Sequence, residues 1–240
     1  MRGVRCAEFD ESTRTGHVQG VCCLLQVSAV LNLNSIPTQK NEKHGEAILQ
    51  RITLGNHNIA MKVQLNELPA FATAAFDEFT LLCKEDQTML LKDFYLKFIV
   101  VENRYRTFLR FPEGRSRIIL FGFTLYWDCD KLESFFNEVP SKTYINEATK
   151  ALKDTFNSFH LAGRAYLEKM TLDSEEYIAL IGLLLWHAPP TASSELISVV
   201  EKMRRQILYE LQVFYKEQGK SEDYSARIGE MLTFIPYLEV

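Results

Sequence analysis

The residues best placed to do chemistry are Glu102, Arg104 and Arg106, because they stand where an apolar run would otherwise continue. From Leu90 to Ile99 apolar residues at 90, 91, 94, 95, 98 and 99 keep a helical rhythm, and Val100 and Val101 fill the opposite side. A helix that is apolar all round belongs in a core. A charge carried into that core is costly unless it is paired or serves a ligand. The Arg106 guanidinium is a rigid fork suited to a carboxylate. Glu102, one turn away, offers the other outcome, an internal ion pair. Phe98, Phe121 and Phe123 are suited to lining an apolar cavity near Arg106, and equally to filling plain core.

Catalytic patterns are thin. The five histidines (17, 44, 57, 160, 187) are scattered, and the chain has no H-E-x-x-H, G-x-S-x-G or phosphate-binding glycine loop. Neither an enzyme nor a cofactor is expected. Asp86-Gln87 falls in a polar corner between two helices, where Asp86 is expected to cap the second. Glu175-Glu176 and Arg204-Arg205 read as solvated helix faces.

The 240 residues, 47% hydrophobic and 24% charged, allow a substantial globular core. A net charge of −4 gives no basic field of the kind that holds nucleic acid. The five cysteines form no C-x-x-C pair, which argues against a zinc module or a disulfide framework. The apolar run at 22–33 is too short for a bilayer span, which needs about 20 residues. No contact with nucleic acid or membrane is expected of this chain.

Several elements must position the central run. A helix is expected to open near Asn66, with Pro69 in its first turn, and to run through Ala70 to Phe76. Phe111-Pro112-Glu113-Gly114 is a turn signal, and Ile118 to Tyr126 reads as a strand or short hairpin. Lys131 to Asn137 reads as a short helix. Ile145, Ala148, Leu152, Phe156 and Phe159 mark an amphipathic one. Asp173 or Ser174 is placed to cap a helix that ends before Pro189-Pro190. Ser193 or Ser194 opens a long helix broken at Gly219, and a last helix runs from about Glu222 to the end.

The spacing F-x-x-L-x-x-x-D-Q-x-x-L-L-K, at Phe79, Leu82, Asp86, Gln87, Leu90, Leu91 and Lys92, resembles the signature of the nuclear hormone receptor ligand-binding domain. The continuation LLKDFYLKFIVVENRYRT is similar to the divergent receptors of nematodes, related to the hepatocyte-nuclear-factor type. MTLDSEEYIALIGLLLWH and YSARIGEMLTFIPYLEV resemble their helices 8 and 10. The resemblance implies an all-α, three-layer antiparallel helical sandwich with one small β-hairpin, occupying 58–240, with 1–57 unassigned. It also implies a nuclear protein that senses a lipophilic, fatty-acid-like molecule and regulates transcription through coregulator or receptor partners.

By the same resemblance, Arg106 matches the helix 5 arginine that in many receptors contacts a ligand carboxylate or carbonyl, with Phe98, Glu102, Phe121 and Phe123 around it. A coactivator groove falls over Ala70, Ala74, Phe79, Thr88, Leu91 and Lys92. Alanine at position 74 replaces the usual clamp lysine, and the chain stops inside the helix 10 match, before the activation helix. Apolar surface near Phe79, Leu91 and the last helix is therefore expected to lie open. A two-fold dimer seam falls on Tyr224, Ile228, Met231, Leu232 and Ile235. The other reading is a ligand-independent dimerisation scaffold or titrating partner.

Overall fold

The computed structural model describes residues 49–111, 117–122, 124–140, 144–156, 169–219 and 224–238. Phe123, Phe159, the turn at 112–114 and the apolar run at 22–33 lie outside them. Helix α1 spans Leu54–Ala75, α2 Asp77–Thr80, α3 Lys84–Arg110, α4 Ile145–Thr155, α5 Ser174–Leu185, α6 Ser194–Glu217 and α7 Tyr224–Phe234. Strands β1 (Gln50–Arg51), β2 (Ile118–Phe121) and β3 (Leu125–Asp128) form one small sheet, Leu132–Phe136 is a 3-10 segment, and α7 runs on into a 3-10 turn at Ile235–Leu238.

Helix α3 is the axis of the molecule. Its residues from Phe94 to Arg104 are buried, Leu96 excepted, as an all-round apolar pattern requires. On one flank it meets α1, where Phe71 stacks on Phe94 and Phe98 and the Tyr95 hydroxyl donates to the Met61 carbonyl at 2.9 Å. On another it meets α5, which is buried from Ile178 to Leu185. Helix α6 packs on the far side of α5. The two approach closely at Gly182, where a Cβ would meet Ile207 Cδ1 at 3.0 Å. Helix α7 closes against α6, and the chain is a three-layer helical sandwich with a small sheet.

The sheet is pinned to α3 by two side chains that replace missing strand partners. Thr107 Oγ1 accepts from the Leu120 N–H at 2.9 Å, and Asn103 Oδ1 accepts from the Gly122 N–H at 3.4 Å. Gly122 makes the tight turn between β2 and β3 at a φ of +62°, a conformation glycine adopts without strain. The hairpin is antiparallel, pairing Ile118 with Asp128 and Phe121 with Leu125. A third strand joins it: β1 runs parallel to β3, with Gln50 opposite Leu125.

The start of α1 corrects the sequence reading. The helix opens at Leu54, not near Asn66, and Pro69 lies inside it. Thr53 and Asn56 form a reciprocal capping box: Asn56 Oδ1 accepts from the Thr53 N–H at 2.7 Å, and Thr53 Oγ1 accepts from the Asn56 N–H. Pro69 removes one backbone donor but sits on the exposed side, and Leu68, Phe71 and Ala72 around it are buried. Packing outweighs the local penalty. Ordered secondary structure thus extends upstream of 58, with Ile52 in the core.

Substitutions along α3 expose its two environments. Phe98 is 1% exposed, whereas Leu91 is only partly buried. Phe98→Ala is expected to cost about 3–5 kcal/mol and Leu91→Ala clearly less, read from urea midpoints.

Candidate functional site

Arg106 lies at the α3–α5 contact, and its guanidinium is paired with Glu102 one turn back. Glu102 also accepts a hydrogen bond from the Tyr177 hydroxyl of α5. Tyr105 lies flat against Tyr177, ring centroids 3.9 Å apart. Burial, reinforced by the Glu102 carboxylate, pushes the Tyr177 hydroxyl well above its usual pKa. The Tyr105 hydroxyl is pushed up to about 12, again chiefly by burial. Both phenols therefore stay protonated, and Tyr177 remains a donor. The result is an internal Arg106–Glu102–Tyr177 chain, with Glu102 4% exposed. A ligand carboxylate at Arg106 would have to compete with Glu102.

The sheet end is built differently. His57, in the first turn of α1, lies between Phe121, Trp127 and Phe135, at centroid distances of 5.1, 5.6 and 5.5 Å. Its Nδ1 is buried and has no hydrogen-bond partner. Leaving such an atom unpaired costs about 1–3 kcal/mol. Burial lowers the His57 pKa from 6.5, against a smaller upward pull from the Asn58 side chain. The folded state therefore prefers the neutral ring. Unfolded chain takes up a proton below about 6.5, so this stabilisation is full above that pH and is lost as pH falls toward the folded value. Thermal melts as the pH falls from neutral through 6.5 are expected to lose Tm in the wild type, and less steeply in His57→Phe. Phe121 is buried in this nest, whereas Phe98 is buried further along α1, beside Phe71.

The corner between α2 and α3 explains why the Phe79-to-Lys92 spacing matters. Gln87 Nε2 donates to the carbonyls of Phe79 (2.9 Å) and Leu82 (3.2 Å), lashing the end of α2 to the first turn of α3. Asp86 is not the cap. Cys83 holds that position, its Sγ accepting from the Asp86 N–H at 3.5 Å, and Asp86 contributes charge to the helix's positive end. Among the groove residues, Ala70, Ala74, Thr88 and Lys92 are exposed and Leu91 is half-buried. Phe79 is not open surface, since it packs edge-on against the fully buried Trp186. Nearby, Lys97 Nζ lies 2.8 Å from Asp93 Oδ2 and 3.2 Å from His187 Nδ1, joining α3 to the end of α5.

Two charges read as solvated are tied into the fold: Glu176 is buried and Arg204 is half-buried. Glu176 is 3% exposed. It closes a capping box with Asp173 and accepts from Tyr215 Oη (2.5 Å) and from Arg227 Nε and Nη2 (2.6 Å each). Burial alone would raise its pKa, but the bonds from Arg227, Tyr215 and the Asp173 backbone bring it below the ordinary value. Arg204 donates to the carbonyls of Leu183 (2.9 Å) and Trp186 (3.2 Å), where the end of α5 carries negative potential. The Asp173-x-x-Glu176 spacing was a legible sign for Glu176. Nothing local marked Arg204.

Helix α7 and the 3-10 turn after it carry the residues expected along the dimer seam. Ile228, Met231 and Ile235 pack into the domain's own core, and Tyr224 and Leu232 lie half-buried against it. They stabilise the monomer first. Ile228→Glu would unfold the domain rather than probe a seam. The outward side of α7 presents Ser225, Ala226 and Thr233.

A buried central helix between two flanking layers, a small sheet at its end and a glutamine-tied corner define a helical ligand-binding domain. A model of the family described as the ligand-binding domain of nuclear hormone receptor matches residues 48–240. The chain belongs to that family. It is 30% identical over 168 residues to nuclear hormone receptor family member nhr-12 of Caenorhabditis elegans, covering 68% of this chain and 36% of that protein. It is 25% identical over 187 residues to nhr-28 of the same species, covering 76% and 42%. The high zinc activated nuclear receptor protein of that species is 26% identical over 181 residues, covering 74% and 44%. The chain thus spans less than half the length of these relatives. The ligand-binding domain of Ultraspiracle from Drosophila melanogaster shares the fold, with a TM-score of 0.61 at 13% identity over 91% of this chain and 84% of that one.

Proposed function

We propose that this chain is the regulatory domain of a nuclear, ligand-sensing transcription regulator. It takes a lipophilic small molecule between α1, α3 and the sheet, and passes that state to coregulator or receptor partners through surface helices. The observation that carries the reading is the sheet end of the interior. There Phe121 supplies an apolar wall, and an aromatic nest of Phe121, Trp127 and Phe135 holds a polar atom with no partner. Arg106 is proposed as a second polar contact, reached by a fatty-acid-like carboxylate that displaces Glu102. The surface over Ala70, Ala74, Thr88, Leu91 and Lys92 is proposed to receive a partner helix. Dimerisation is proposed along α7, through its outward side.

Native mass spectrometry of the purified domain tests this directly. A non-covalent mass excess of a few hundred daltons, typical of a lipophile, is expected, or uptake of added hexadecanoate. A bare mass under both conditions would contradict it.

A ligand-independent dimerisation scaffold is the second reading, favoured by the pairing of Arg106 with Glu102. Sedimentation separates its dimer element: a dimer weakened by Ala226→Glu supports contact along α7, and an unaffected dimer places the contact elsewhere.

A further inference from the structure

An acidic pair stands directly before a tyrosine twice in this chain, as Glu175-Glu176-Tyr177 and as Glu222-Asp223-Tyr224. Charge patterns of this kind are read by tyrosine kinases, whose basic substrate grooves draw acidic residues in beside the phenol. The fold treats the two tyrosines differently. The Tyr177 ring lies flat against Tyr105, and its hydroxyl is committed to Glu102. Tyr224 is the first residue of α7, where a helix end opens at little cost. Its ring is half-buried beside that of Tyr215, at a centroid distance of 6.5 Å. Among the described residues its hydroxyl is neither hydrogen-bonded nor sealed from solvent. Arg227 decides what a phosphate on that oxygen would meet. It stands three residues on, a neighbour of Tyr224 on the helix surface. Its Nε and Nη2 are spent on Glu176, at 2.6 Å each. Its Nη1 is held more loosely, 3.5 Å from the exposed Glu230. Tyr224 and Arg227 also lean on one cluster, because Tyr215, beside Tyr224, donates to Glu176 at 2.5 Å.

We infer that Tyr224 is a phosphorylation site, and that its phosphate takes Arg227 Nη1 and locks α7 onto α5 and α6. The γ-phosphoryl group of ATP passes to the phenol oxygen: an O–P bond forms there as the bond to ADP breaks, and the phenol proton leaves to the kinase. The product carries about −1.5 to −2 charges at pH 7 and three strong acceptor oxygens. It sits at the positive end of α7, where an anion is favoured. Repulsion from Glu176 is small, since the Arg227 guanidinium already neutralises that carboxylate. A charge-assisted bond to Nη1 therefore adds to the hold on α7 without breaking the one already made. This lock is independent of any ligand in the interior.

The full chain, incubated with ATP, magnesium and a tyrosine kinase that prefers acidic residues before its target, tests both parts. Peptide mass spectrometry locates the phosphate, and hydrogen exchange reads α7. Phosphate is expected on Tyr224 ahead of Tyr144 and Tyr209, which are more exposed but lack the acidic pair. A free peptide of residues 218–230 is expected to be modified by the same kinase. In the phosphorylated chain, exchange across Tyr224–Phe234 is expected to slow about tenfold, the size of one hydrogen bond to a charged group. Tyr224→Phe keeps the ring against Tyr215, and is expected to take no phosphate at 224 and to exchange like the unmodified wild type. Modification of Tyr144, Tyr209 or Tyr177 first, or no modification of chain or peptide, overturns the site. Phosphate on Tyr224 that leaves exchange in α7 unchanged, or speeds it, overturns the lock.

Discussion

Glu102→Ala is expected to cost the domain about 3–5 kcal/mol, because it breaks a buried ion pair and removes an acceptor shared by two side chains. The Arg106 guanidinium would lose this carboxylate, and the half-buried Tyr177 hydroxyl would lose its acceptor. For a domain of this size the loss corresponds to a fall in Tm on the order of 10 °C. Glu102→Gln keeps an acceptor for Tyr177 and is expected to lose less. A functional change accompanies the damage. With Glu102 gone, an external anion no longer competes with its carboxylate at Arg106, so a long-chain carboxylate is expected to bind more tightly than to the wild type and to recover part of the lost Tm by mass action. An unchanged Tm, or no gain in carboxylate binding, would show that the pair does not gate Arg106.

Glu176→Ala comes next in expected effect, at about 3 kcal/mol. Glu176 gathers three segments at one carboxylate: its own capping box at the start of α5, Tyr215 near the end of α6 and Arg227 in α7. The loss is placed at the lower end because Arg227 is partly exposed and regains water on release. The pH dependence follows from the direction of the shift. A carboxyl whose folded pKa is depressed contributes stability that is present above its unfolded value, near 4.5, and is lost as pH falls through the folded value. Acid unfolding of the wild type is therefore expected to include a component below that pH which Glu176→Ala lacks. Parallel acid melts for the two proteins would contradict the network. Since Arg227 anchors α7, hydrogen exchange in Tyr224–Phe234 is expected to accelerate in the variant.

What was legible in the sequence was local. The run from Leu90 to Ile99 declared a buried helix because its apolar residues recur at helical spacing over most of its circumference, with only the edge at Lys92 and Leu96 exposed. The Asp173 cap, the Ser193 cap and the Ile118–Tyr126 hairpin were likewise written in short spacings. The misreadings came from partners distant in sequence. Glu176 looked solvated because its acceptor role depends on Tyr215 and Arg227, and Arg204 because its acceptors are the carbonyls of Leu183 and Trp186. Pro69 drew the start of α1 too late, since tertiary burial of Leu68 and Phe71 outweighs one missing backbone bond. Strand β1 is two residues long, too short for any alternation to show. Phe98, Glu102 and Arg106 were singled out as candidates from the same apolar rhythm and its interruption by charge. His57 was passed over as one scattered histidine, because its aromatic nest assembles from β2, β3 and the 3-10 segment only in the fold.

The central claim is that the interior between α1, α3 and the sheet receives a lipophile. Hydrogen–deuterium exchange of the domain with and without a bound long-chain alcohol or acid measures it most directly. Slowed exchange in Leu54–Ala75 and in Ile118–Asp128, with α6 unchanged, is the result this structure predicts. A ligand that binds yet leaves both segments unprotected, or protects only the surface of α6, would contradict it.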